Sequence, residues 1–149
     1  VFCKGSMGEA PVREGAAPLW LVKVRAMDRR RGHAFLPVET LRALPALYSQ
    51  DGKGLDAVAH VRYFAGGACV WYITELNRET GEAFGWCDLG MGCGELGYVS
   101  LAELGGAAYE VRLRNAGTGA VHAIRMPVER DCHWEPRALR ECKEVVTHG

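Results

Sequence analysis

Five carboxylates stand at or near the ends of strand-like runs: Glu75, Asp88, Glu95, Glu129 and Asp131. Two carboxylates that reach one substrate from unequal environments can divide general-acid and general-base work. Glu75, Asp88 and Glu95 are the catalytic candidates for such hydrolase-like chemistry at the strand ends. In CVWYITEL, Glu75 follows Trp71 and Ile73 at alternate positions, so it is expected on their face of a strand. If that face is the core, the charge must be paired, and Arg130 or Arg62 is the expected structural partner. Glu103 has a simpler reading: it follows Ser100 by three residues, the spacing of a helix capping box.

Thiols and imidazoles offer a second chemistry. Cys87, Cys93, Cys132 and His133, with Cys142, are candidate metal ligands. A zinc site draws four ligands, usually from tight Cys-x-x-Cys-like pairs, and the five residues between Cys87 and Cys93 make a loose pair. Cys132 and His133 are neighbours, which on a strand point to opposite faces, so they form a poor nucleophile–base dyad. The segment GMGCG has the glycines of a phosphate loop but lacks its Lys-Ser/Thr and long helix. No metal or cofactor is expected.

Binding surfaces form the third class. Arg29, Arg30 and Arg31 are consecutive and could touch a nucleic-acid backbone, with Trp20 stacking on bases; the alternative is a solvated polar turn. Residues 1–35 carry seven basic groups against three acidic ones, a local excess of four in a chain of zero net charge. Such an excess steers polyanions only modestly and fades with salt. Trp71 and Tyr98 are candidate anchors for a protein partner or a second copy, since aromatic side chains dominate interfaces; they also fill cores.

These residues must be positioned by a fold of modest size. The chain has 149 residues, 48% hydrophobic and 24% charged, which fits one globular domain with a real core. No apolar run reaches the roughly 18 residues of a membrane-spanning helix, and no signal-like leader is evident. A cytoplasmic protein with reduced cysteines is expected. Residues 1–17 read as a flexible tail, and 18–149 as a single domain. Leu19–Met27 alternates late and could be an extra strand, with DRRRGH as a polar turn. PVETLRALPALY spaces Val38, Leu41, Leu44 and Tyr48 as a short helix, with Pro37 in its first turn and Pro45 as its stop.

A run of strands follows. Ala57–Phe64 and Cys69–Leu76 form a hairpin across AGGA, where Gly66 and Gly67 suit positive φ. Ala83–Leu89 and Glu95–Val99 continue it, and Ser100 caps a brief helix that Gly105 and Gly106 end. Tyr109–Arg114 and Ala120–Val128 make a further hairpin around NAGTG, and a short final helix starts near Arg137. The expected architecture is α+β: an antiparallel meander of about five to six strands, an N-terminal helix and one or two short helices.

In order and spacing, LPALYSQDGKG, WYITE, FGWCDLG, ELGYVSLAEL and PVERDCHWEP resemble the DUF2958 family over about residues 35–139. The resemblance implies a small intracellular protein of bacterial mobile DNA, sometimes near anti-restriction genes, with no established activity. The motif positions it marks include Tyr48, Trp71, Glu75, Gly85, Glu95, Gly97, Tyr98, Glu103, Glu129, Arg130 and Asp131. The first 34 residues and the hairpin of 109–126 depart from the family pattern. Together the readings favour a binding or interaction module, a counter-defence factor among the options, over a carboxylate enzyme or a weak nucleic-acid binder.

Overall fold

A computed structural model describes residues 17–66 and 68–148. The chain opens with three helices: α1 (Leu19–Ala26), α2 (Asp28–Arg31) and α3 (Val38–Ala43). The strands β1 (Val58–Ala59), β2 (Val61–Ala65), β3 (Cys69–Leu76), β4 (Glu82–Leu89) and β5 (Glu95–Ser100) follow. Then come helix α4 (Leu101–Gly106), strands β6 (Ala108–Arg114), β7 (Val121–Pro127), β8 (Glu129–Arg130) and β9 (Arg137–Ala138), and helix α5 (Lys143–His148). The five-stranded antiparallel sheet runs β5-β4-β3-β2-β8, while β1 pairs β9 and β6 pairs β7 in two separate ribbons. The architecture is α+β, as expected from the alternation, with β2 to β5 as the meander.

Both faces of the central strands are buried, which explains why CVWYITEL is apolar almost throughout. On one face Val61, Tyr63, Trp71 and Ile73 pack against Trp20, Leu21 and Val24 of α1 and against Leu101 and Leu104 of α4. On the other, Val70, Tyr72 and Trp86 pack against Leu139, Cys142 and Val145 of the C-terminal segment. We call these the helix face and the tail face. That second core is tied by charge: Arg62 donates to Glu144 at 3.0 Å and reaches Asp131 at 3.4 Å, and the Tyr72 hydroxyl donates to Glu144.

The N-terminal segment corrects the strand expectation. Leu19–Ala26 is a helix whose inward positions Trp20, Leu21 and Val24 follow the helical, not the alternating, period. Trp20 also closes over Gly81, where φ is +83° and a Cβ would lie 2.6 Å from the indole ring. Asp28–Arg31 is a helical turn rather than an open loop, and Gly32 at φ 82° ends it. Pro37 sits at the N-cap of α3, one position before the first turn. The expected first strand splits at His60, whose amide still bonds Ile73 at 2.8 Å. Arg137 begins a short strand, not a helix, and the last helix starts at Lys143. The expected tail up to residue 16, Cys3 within it, and Gly67 lie outside the described residues.

One irregularity matters for the site. Between Ile73 and Glu75 the β3–β4 register shifts: Ile73 opposes Gly85, while Glu75 opposes Phe84. A bulge of this kind turns the following side chains to the other face. Gly85 permits it, because a Cβ there would lie 1.8 Å from the Tyr72 carbonyl oxygen. Leu76 therefore joins Trp71 and Ile73 in the helix-face core, and Glu75 turns away from them.

Candidate functional site

Glu75 is only 3% exposed, and among the described residues its carboxylate accepts from backbone amides and not from Arg62 or Arg130, the expected partners. Its two oxygens accept the backbone amides of Tyr48 (2.9 Å) and Gln50 (2.6 Å). The expected face was wrong because strand parity ignores the bulge. The carboxylate thus anchors the loop between α3 and β1. Gln50 extends the anchor, donating to the carbonyls of Thr74 (2.8 Å) and Val58 (3.2 Å) and accepting the Val58 amide (2.8 Å).

The loop so held presents Tyr48 at φ 73°, the left-handed region that a bulky residue enters at a cost. Its side chain is nonetheless 62% exposed. It meets Tyr98 of β5, whose phenol is raised above its ordinary pKa first by a hydrogen bond with Tyr48, then by desolvation. Tyr98 is 53% exposed and stands edge-on to Phe84, ring centroids 5.0 Å apart. Leu96, two residues back, is 42% exposed on the same tail-side face. Buried Glu75 on central β3 thus fixes, through the loop backbone, an exposed aromatic pair at the β5 edge.

That edge belongs to β5, which among the described residues pairs only with β4. A cleft of about 510 Å³ runs along it, and five consecutive residues, Leu96 to Ser100, line it. Cys87, Glu95, Glu103 and Leu104 are among its other walls. A second hollow of about 500 Å³ continues past Tyr98 toward Glu82 and Asn77. Among the described residues no basic side chain lines either one. The Ser100 hydroxyl accepts the Glu103 amide at 3.2 Å, as the capping spacing predicts, so the corner after β5 is fixed.

The three catalytic candidates do not converge. Phe84, opposite Glu75, lies four residues along β4 from Asp88, a span of about 13 Å. Glu95 opposes Cys87, the strand neighbour of Asp88, and so projects from the opposite face. Asp88 is 5% exposed and accepts the amides of Gly90 (2.9 Å) and Met91 (3.1 Å), closing the turn after β4. Glu95 alone is open to solvent.

The remaining candidates sort by environment. Burial, with Glu95 adding to it, pushes the Cys87 thiol up to about 11, so it stays protonated near neutrality. Cys93 and Cys132 are exposed, Cys142 is buried, and His133 is exposed with its amide on Asp131. Among the described residues no three His, Cys, Asp or Glu side chains are grouped to hold a metal. Trp71 is 2% exposed in the helix-face core. Arg29 and Arg30 face solvent, but the Arg31 side chain is 4% exposed. It donates to the Gly105 carbonyl at 2.8 Å and lies 4.6 Å over the Phe35 ring. The three arginines therefore form no common basic face. Tyr48 and Phe84 had no place among the sequence candidates; the unusual backbone at Tyr48 has no signature in residue type.

Among the described residues no helix is long and apolar enough to cross a membrane. No curated protein and no solved structure matches the chain. The family described as a protein of unknown function, DUF2958, matches residues 35–140, from Phe35 under the sheet to the segment that covers its tail face, and the chain belongs to that family.

Proposed function

We infer that the protein is an interaction module whose β5 edge receives an extended polypeptide strand from a protein partner. One observation carries this reading: buried Glu75 holds Tyr48 in a left-handed conformation while leaving its ring 62% exposed beside Tyr98. Backbone strain sustained by a buried charge, with no core burial in return, fits a surface shaped for contact. The cleft supports a strand as the occupant. Every residue of β5, Glu95 to Ser100, lines it, so the cleft follows the strand, which suits main-chain pairing at a sheet edge. Alternate side chains supply discrimination: Leu96 and Tyr98 offer apolar contact on one face, Glu95 a charge on the other. A counter-defence factor of mobile DNA that docks on a host protein is the setting we favour, in a cytoplasmic compartment. The carboxylate-enzyme alternative is weakened by the separation of Glu75, Asp88 and Glu95, and the nucleic-acid alternative by the inward Arg31.

A photocrosslinking amino acid at position 98, with the same group at exposed Val22 on α1 as control, tests the reading in producing cells. Crosslinks from 98 into a defined polypeptide segment, absent from 22, are expected. Equal yields from both positions, or none from 98, would overturn it.

A further inference from the structure

The β6–β7 hairpin pairs separately from the central sheet, and residues 112–127 of it are exposed. Leu113 is 50% exposed, Ile124 42% and Met126 39%. A lone two-stranded ribbon is marginal in water, and this one shows apolar side chains that its own fold leaves uncovered.

Its register sorts the side chains into two kinds. Leu113 opposes His122, and Ile124 and Met126 follow at alternate positions of β7, so all four share a face. Arg112 opposes Ala123 and Arg114 opposes Val121, which places both arginines with Arg125 on the other face. One side is largely apolar; the other carries three arginines, with Glu110 opposite Arg125 and exposed Val121 opposite Arg114. The β5 edge has the matching pair of faces. Leu96 and Tyr98 are exposed on one, while Glu95 stands on the other, near Glu103 across the cleft.

We propose that the hairpin of one chain adds to the β5 edge of a second copy, and that the exchange is reciprocal. This rests on reading β5 as a docking edge and names its occupant. One antiparallel register satisfies both faces at once. Placing Glu95 opposite Arg125 brings Leu96 opposite Ile124, Gly97 opposite Ala123, Tyr98 opposite His122 and Val99 opposite Val121. Glu95 meets Arg125, Leu96 meets Ile124 and Val99 meets Val121, and Gly97, with open space where its Cβ would be, leaves room for the incoming strand. The added ribbon continues the sheet and closes its exposed edge, with Ile124 set beside Leu96 on the shared face. Two-fold symmetry repeats the contact, so each chain gives one arm and receives one.

Light scattering coupled to size exclusion, run on the full chain over a range of concentrations, reads the outcome. The wild-type chain is expected to dimerise. Glu95→Arg and Arg125→Glu each set like charges face to face at both contacts and should weaken the dimer about tenfold to a hundredfold. Both positions are exposed, and because Arg125→Glu also stands opposite Glu110 in the register of its own ribbon, circular dichroism of each variant checks that the fold is retained. An equimolar mixture of the two variants should recover the dimer, because each chain then meets the opposite charge at both contacts. A monomeric wild type, variants that associate like the wild type, or a mixture no tighter than its components would overturn the proposal. A monomeric wild type that still crosslinks from position 98 to a different protein would sink this inference alone and leave the docking edge standing.

Discussion

Replacing Glu75 by alanine removes the acceptor for two backbone amides at once. The Gln50 amide is the deeper one: Gln50 is 8% exposed and its bond to the carboxylate is 2.6 Å long. A hydrogen bond to a charged group contributes about 1.5–3 kcal/mol, and a buried donor left alone forfeits that in full. The Tyr48 amide, 2.9 Å from the other oxygen, sits beside an exposed side chain, so water recovers part of its loss and about 1 kcal/mol remains. Loss of the buried side-chain methylene adds up to about 0.8 kcal/mol. The expected cost of Glu75→Ala is therefore about 3–5 kcal/mol, a large share of a small domain's stability. With a urea slope of about 2 kcal/mol per molar, the unfolding midpoint should fall by about 2 M. Glu75→Gln keeps one acceptor oxygen but turns an amide N–H toward a donor, so it should fall between the two. An equilibrium urea titration at neutral pH, read by tryptophan fluorescence, measures both. A loss below about 1 kcal/mol for Glu75→Ala would show that the carboxylate does not anchor the loop, and the account of Tyr48 would fall with it.

Four further outcomes follow from the same geometry. Tyr48→Gly should raise stability by about 0.5–1 kcal/mol in the same titration, because glycine accepts φ 73° without strain, while crosslinking from position 98 falls. Arg31→Ala should cost about 2–3 kcal/mol through the lost Gly105 bond and the uncovered Phe35 ring, whereas exposed Arg29→Ala should stay within about 0.5 kcal/mol. Alkylation at pH 8, mapped by mass spectrometry, should label Cys93 and Cys132 first among the described cysteines; burial pushes the Cys87 and Cys142 thiols up to about 11, so Cys87 in the cleft wall should react more slowly and buried Cys142 slowest. The Glu144 carboxyl is held below its ordinary 4.5: burial pushes it up, but the Tyr72 hydroxyl, its own amide and Arg62 outweigh that. A depressed carboxyl contributes stability above its unfolded pKa and loses it as pH falls through the folded value, so the loss should begin near 4.5 and deepen below it. Glu144→Gln should flatten that acid limb of the stability–pH curve.

Much of this architecture is legible in residue order. Alternation in AVAHVRYF and the β-prone residues of CVWYITEL locate the central hairpin, and Ser100 three residues before Glu103 locates the strand-to-helix corner. Two elements defeat local reading for physical reasons. Leu19–Ala26 contains β-branched residues and a stretch of alternation, but the core beneath it accepts Trp20, Leu21 and Val24 only from a helix. The face of Glu75 depends on a bulge set by Gly85, a residue on the neighbouring strand, which no periodicity within β3 can reveal. The site is less legible than the fold. Glu75 was identifiable as a buried charge in need of partners, but its partners are amides, and amides have no residue signature. Tyr98 was visible as an aromatic; Tyr48, its neighbour across the loop, becomes interesting only through a backbone angle.

Amide hydrogen exchange across Leu96–Ser100 addresses the docking edge most directly. It is compared between the purified chain under conditions where it is monomeric and the complex recovered with its partner from producing cells. Strand addition predicts slowed exchange at those β5 amides that point away from β4 and little change at the β3 amides already paired on both sides. Unchanged exchange along β5, with protection gained elsewhere on the molecule, would contradict the account.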